Sequence, residues 1–294
     1  MERGKKKSGT KVILTADYHL RENAPACRLD DFEKAQWAKL DFISELQRKY
    51  DCPIWHSGDF FDHWKPSPSL LAKTIQHLPK QFHTIYGNHD LPQHSMELKD
   101  KCGVYVLEQA GVLSIIDSNH WGLPFNKFYG FTYNGQRVLV WHVMTYQGKT
   151  PYPGCTDSPA MSLIRKNKDF DLILTGHNHQ QFIEECEGRL LINPGCITRQ
   201  ESDMQGFEPH VILWDSADNT YETIPIPHEK GVVTVPKNVQ DVQARNKRID
   251  AFVTTLQSDW DNGVDFEKNI ERALEANEIS EETKKIVYKS LDVQ

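Results

Sequence analysis

Five short segments of this chain share one design: a run of strand-forming residues, usually a glycine, and then side chains of the kind that hold metal ions. They are LTADYHL with Asp17 and His19, SGDFFDH with Asp59 and Asp62, YGNHD with Asn88, His89 and Asp90, VWHVM with His142, and LTGHNHQ with His177 and His179. Any one of them alone reads as a polar turn, because Gly, Asn and Asp are the residues that turns recruit. Five in order restrict the fold, since a chain that uses them together must set several strand ends side by side. Layered α/β proteins do this, gathering ligands at the carboxyl ends of their strands.

The spacing inside the segments suits that purpose. Residues i and i+2 of an extended chain point the same way, so Asp17 with His19, and His177 with His179, are each expected to present two ligands together. Gly58, Gly87 and Gly176 are expected to let the backbone turn sharply beside them. The donors are carboxylate, imidazole and one amide oxygen, without thiolate, which suits manganese, iron, zinc or cobalt better than a structural zinc knot. Seven or eight such donors are too many for one ion and fit two that share a bridge. Two ions about 3.5–4 Å apart clamp the attacking and leaving oxygens of a phosphoryl transfer and acidify a bridging water.

The rest of the chain reads as a frame for such a site. Strands are expected at 11–16, 52–57, 82–86, 170–175, 210–215 and 220–226, and helices at 30–50, 67–78, 96–111 and near 158–168. Asn134-Gly135 and Glu187-Gly188 mark hairpins within 128–142 and 181–193. Strands and helices in this order predict an α/β fold with two sheets packed face to face and helices outside. The expected division is a basic N-terminus at 1–10, a main domain at 11–236 and a helical C-terminal segment at 237–294. That last segment carries apolar stripes, the longest through Ile249, Phe252, Val253, Leu256 and Trp260.

Composition excludes several classes. No run approaches a membrane span and the basic start lacks the apolar stretch of a secretory signal, so the expected location is the cytoplasm, away from membranes. The six cysteines show neither C-x-x-C pairs nor zinc-like spacing, so free packed thiols are expected. A net charge of −7 argues against coating nucleic acid by bulk electrostatics. It does not exclude a nuclease, whose bound cations make the site locally positive.

In sequence order the five segments resemble the signature of the calcineurin-like metallophosphoesterases: D-x-H, G-D-x-x-D, G-N-H-D, a lone H and G-H-x-H. That resemblance implies the αββα sandwich of the family. It implies one ion held by Asp17, His19 and His179, another by Asn88, His142 and His177, and Asp59 as the bridge. His89 then faces the scissile phosphate and Asp90 orients it. Asp62 reads as a residue that orients a ligand imidazole, or as a plain turn carboxylate. Arg199 reads as a substrate-phosphate contact or a surface salt bridge. A finer similarity, carried by GDFFDHWKPSPSLLAKTI (58–75), GRLLINPGCITRQ (188–200) and YQGKTPYPGCTDSP (146–159), is to SbcD-type DNA repair nucleases, above all short phage-encoded relatives. It implies a DNA exonuclease or endonuclease of repair, recombination or phage DNA processing. The expected cofactors are two divalent ions, manganese first, with magnesium, iron, cobalt or zinc as alternatives. Partners expected by similarity are DNA, a coiled-coil ATPase subunit of SMC type and a second copy of the chain, with the C-terminal segment as docking surface. The alternative substrates are small or cyclic nucleotides and phosphomonoesters.

Overall fold

Alternation along the strands decides which side of each sheet every residue occupies. The computed structural model describes residues 9–122, 129–151, 154–235, 274, 280, 281 and 283–285. In chain order the strands are β1 (Lys11–Thr15), β2 (Ile54–His56), β3 (Phe82–Thr84), β4 (Ser114–Ile115), β5 (Phe131–Tyr133), β6 (Gln136–His142), β7 (Thr145–Tyr146), β8 (Ser158–Pro159), β9 (Leu172–Gly176), β10 (Phe182–Cys186), β11 (Arg189–Asn193), β12 (His210–Asp215) and β13 (Thr220–Pro225). The α-helices are α1 (Phe32–Tyr50), α2 (Pro68–His77), α3 (Gly103–Gln109) and α4 (Ala160–Lys166).

One sheet runs β13-β12-β1-β2-β3-β4 and the other β10-β11-β9-β6-β5, with β7 and β8 a separate pair. Within the first, β1 to β4 are parallel; within the second, β6, β9 and β11 are parallel and the hairpin strands β5 and β10 edge them. Val12 and Leu14 of β1 pack with Val138, Val140, Leu172, Leu174 and Ile192, so one face of each sheet makes a shared core. Ile13, Ile54 and Phe82 point the other way, onto Trp37, Leu40 and Ile43 of α1. Leu139, Ile173 and Leu191 pack on α4 through Leu163 and Ile164. The order is helices, sheet, sheet, helix: the αββα sandwich, with residue alternation dividing one apolar population among three cores.

Local chemistry starts the elements where the sequence places them. Asp31 caps α1 by accepting from the Lys34 amide at 3.1 Å, and Ser67 caps α2 by accepting from Leu70 at 3.0 Å. Asn134-Gly135 and Glu187-Gly188 hold the positive φ angles of tight hairpin turns. The helix expected across 96–111 is two pieces. A 3-10 segment, Met96–Lys101, ends at Cys102, whose extended backbone (φ −101°, ψ 161°) breaks the run before α3. The Gly103 amide is drawn off to the Trp64 carbonyl at 2.8 Å, a tertiary bond that local periodicity does not register.

All six cysteines are free thiols, four of them buried. Among the described residues no helix is long and apolar enough to cross a membrane. Contacts divide the chain into Met1–Thr234 and Val235–Gln294. Residues 1–8 of the basic start expected at 1–10, and the apolar stripes and docking role expected of 237–294, lie outside the described residues, of which that last segment holds six.

Candidate metal centre

The parallel strands of both sheets deliver their following loops to one place. Asp17 and His19 follow β1, Asp59 follows β2, Asn88 and His89 follow β3, His142 ends β6, and His177 and His179 follow β9. Backbone bonds from Asp17 to the Gly58 carbonyl (3.2 Å) and from His19 to the Asp59 carbonyl (3.0 Å) tie the first two loops together. The backbone is not extended here. Asp17, His19, Asp59 and His177 have φ of 48°, 45°, 56° and 78°, so the expected strand-like i, i+2 presentation is replaced by sharp bends held at a strained conformation.

The glycines divide by role. Gly58 turns at φ 97°, as expected, whereas Gly87 and Gly176 do not use positive φ. They are glycine because a Cβ at position 87 would collide with Asp59, and one at 176 would meet the Ser57 carbonyl at 2.8 Å.

Two groups of donor atoms take in the expected ligands. Asp17, His19 and His179 form one and Asp59, His142 and His177 the other, with ligand atoms in each within 4.8 Å of one another; a third group of the same compactness joins His19 to Asp62 and His89. Asn88 Oδ1 lies 3.0 Å from His142 Nε2 and 2.9 Å from His177 Nδ1, inside the second group. Asp59 Oδ2 stands between the groups, 3.2 Å from His142 Nε2 and 3.6 Å from His19 Nε2. All seven residues named as ligands from the sequence are thus brought together, with Asp59 in the middle.

The donor chemistry fits cations. The Ser57 carbonyl only accepts, so His142 Nδ1–H donates to it at 2.7 Å and the other ring nitrogen turns a lone pair toward Asn88 Oδ1 and Asp59 Oδ2. Three acceptors facing one another need positive charge between them. A proton on His142 supplies it one way: burial opposes the imidazolium, but the Asp59 carboxylate raises its pKa above the ordinary value. Burial also works against ionised Asp59, and the His142 charge and hydrogen bond overcome it, holding the carboxyl well below its usual range. A metal ion supplies the charge the other way. His19 Nε2 faces His179 Nε2 at 3.0 Å in the same manner, while Glu201 Oε1 lies 3.0 Å from His179 Nδ1 and accepts its proton. Burial pushes His19 far below 6.5 and His177 down to about 4, so both are neutral imidazoles with lone pairs to offer. Burial lifts Asp17 above the usual carboxylate range, as expected of an acid that calls for a cation.

His89 is held differently from the ligands. Its Nδ1–H donates to the Asp62 carbonyl at 2.8 Å and its amide donates to Asp59 Oδ1 at 2.8 Å. That fixes the tautomer and leaves Nε2 free to exchange a proton. Asp90 does not reach the imidazole, contrary to the sequence expectation. Its buried carboxylate accepts from the amides of Phe60, Phe61 and Gly87 at 3.0, 3.1 and 3.0 Å, so it fixes the loops and orients His89 only through the backbone. The Asp62 side chain is 3.9 Å from His19 Nδ1, beyond hydrogen-bond reach, and pairs with Arg21 at 3.1 Å. Its hydrogen bond to a histidine is made by the backbone carbonyl, to His89, while its carboxylate stands near both His19 and His89.

Arg199 is neither a substrate contact nor a surface ion pair. It is 2% exposed and donates to the Glu229 carbonyl, while Arg28 donates to its own carbonyl at 3.1 Å. The run 196–199 is buried throughout, so the guanidinium presents almost no surface to a substrate. Sequence reasoning passed over Glu201 and Trp121, whose ring lies against His177 with centroids 5.0 Å apart. Neither carries a local signal, since each meets its histidine only through the fold.

A protein named probable metallophosphoesterase, from Methanocaldococcus jannaschii, is 28% identical over 123 residues, 41% of this chain; the chain spans 60% of that relative's length. Among solved structures, an archaeal phosphodiesterase aligns over 73% of this chain and 99% of its own, at 16% identity and a TM-score of 0.43. Wild-type Vps29 from Entamoeba histolytica, in complex with zinc, aligns over 74% of this chain and 99% of its own, at 14% identity and a TM-score of 0.37. Residues 11–218 match the calcineurin-like phosphoesterase superfamily domain. That stretch runs from β1 past β12 and takes in every residue of both donor groups, and on that extent the chain belongs to the calcineurin-like phosphoesterase superfamily.

Proposed function

We propose that this phosphoester hydrolase is a two-metal nuclease that cuts DNA phosphodiesters in the manner of SbcD-type enzymes, with manganese as its working ion. The observation that carries the two-metal reading is Asp59, one carboxylate oxygen shared by two donor groups that each combine both sheets. Asp17, His19 and His179 would hold one ion, and Asn88, His142 and His177 the other. Two divalent ions supply Lewis acidity toward a phosphoryl oxygen and lower the pKa of water. The chain's own part is to position and to move a proton. His89, locked through Nδ1 to the Asp62 carbonyl, offers Nε2 to the leaving oxygen. Asp90 keeps that loop against the Asp59 loop, so the imidazole and the bridging carboxylate move as one unit.

The choice of DNA rests on the motif similarity around residues 58–75 and 188–200. The test is a substrate panel with manganese after chelation: single- and double-stranded DNA, RNA, cyclic nucleotides, a chromogenic phosphodiester and a phosphomonoester. Metal-dependent cleavage of DNA ahead of cyclic nucleotides and monoesters is expected. Preference for a cyclic nucleotide or a monoester assigns a small-molecule phosphoesterase instead.

A further inference from the structure

The third compact group of donors, His19, Asp62 and His89, is one that the catalytic reading leaves without an ion. It lies across the His19 ring from the first donor group. Nε2 of His19 faces His179 Nε2 at 3.0 Å and Asp59 Oδ2 at 3.6 Å, whereas Nδ1 faces Asp62 Oδ1 at 3.9 Å. That gap is too wide for a hydrogen bond, yet one ion spans it, since zinc–nitrogen and zinc–oxygen bonds are each about 2.0–2.2 Å. A donor atom of His89 completes the group, all three within 4.8 Å of one another. Asp62 and His89 are half-buried, so solvent reaches the group. Asp62 Oδ1 also lies 3.1 Å from Arg21, whose charge competes for the oxygen and repels a cation. The group is therefore weaker than the two that share Asp59 and fills after them.

We propose that His19, Asp62 and His89 form a third metal site, filled by excess zinc, that switches hydrolysis off. Two imidazoles and a carboxylate make a donor set of the zinc type, and affinity for such donors rises from manganese to zinc. The switching-off rests on the reading of His89 as the group that hands a proton to the leaving oxygen. Whichever ring nitrogen of His89 the ion takes, that path closes. Nε2 is the atom that exchanges the proton, and Nδ1–H fixes the tautomer against the Asp62 carbonyl. His19, bound through both nitrogens, gives its remaining ring proton to solvent and bridges two ions as an imidazolate.

Three proteins test the site: the wild type, Asp62→Ala, which removes the carboxylate and keeps the backbone carbonyl, and Arg21→Met, which removes the competing charge. Zinc bound per chain is measured without substrate, by elemental analysis after dialysis against increasing zinc. Zinc inhibition of bis(p-nitrophenyl) phosphate hydrolysis is measured in saturating manganese, each protein against its own zinc-free rate. At saturation the wild type is expected to bind one zinc more than Asp62→Ala. Inhibition of Asp62→Ala is expected to need about tenfold or more zinc than the wild type, and Arg21→Met less than the wild type. A merely structural part for Asp62 predicts neither the change in count nor the opposite effect of Arg21→Met. Equal zinc counts in the wild type and Asp62→Ala, inhibition of both at the same zinc concentration, or Arg21→Met no more sensitive than the wild type overturns the third site. If the extra zinc binds as expected but none of the three cleaves the ester in manganese alone, the site stands and the phosphodiesterase reading falls.

Discussion

Asp59 and His89 separate holding metal from doing chemistry. Asp59 Oδ2 touches both donor groups, so Asp59→Asn is expected to abolish hydrolysis and lower bound metal, with an unchanged circular dichroism spectrum. His89 belongs to the proton path, so His89→Ala is expected to keep both ions by elemental analysis and lose about 10²–10⁴-fold in rate. Glu201 tests a third role. By fixing the His179 tautomer from 3.0 Å it should strengthen that ligand, and Glu201→Ala is expected to weaken metal binding about 10–100-fold in a titration, with Glu201→Gln recovering part of it. At this scale the sequence displays residue types faithfully but not their neighbours. Asn88, His89 and Asp90 stand out because three such groups after a glycine are hard to explain as a turn once four other segments answer them. Nothing marks Glu201, and Arg199 misleads, because its burial depends on the chain around Glu229.

Elements were readable where their chemistry is local. The two hairpin turns announce themselves because their conformation needs Asn-Gly or Glu-Gly, and the starts of α1 and α2 do so because a capping side chain sits three residues from the amide it serves. The break at Cys102 was not readable, since a tertiary bond from Gly103 to Trp64 decides it. The same contrast separates two glycines. Gly87→Ala would push a methyl group into Asp59, and it is expected to lose metal and activity while the sheets persist. Gly135 sits at φ 90° with nothing within 4 Å of its Cβ position, so Gly135→Ala is expected to cost about 1 kcal/mol in urea unfolding and to leave activity intact.

For the whole molecule, the sequence implied two sheets but not their strand order. β12 and β13 come after the second sheet in the chain yet join the first beside β1, a pairing across about 200 residues that no local pattern encodes. The same long-range packing places Lys39 at 3% exposure near Arg28 and Arg199, where burial first and those charges second press its pKa from 10.5 to about 8. A depressed lysine opposes folding fully below the folded pKa and not at all above the unfolded one. Lys39→Met is therefore expected to be more stable than wild type at pH 7, by on the order of 3 kcal/mol, with the gap closing as pH rises from about 8 to 10.5 in urea melts. A further consequence follows from the two donor groups. Each takes residues from both sheets: Asp17 and His19 with His179, and Asp59 with His142 and His177. Bound ions would therefore rivet the halves of the sandwich across their seam. Mutual slippage of the halves by one residue would silence the enzyme while each sheet stayed folded, so chelator sensitivity of the melting temperature doubles as a gauge of how firmly the halves are joined.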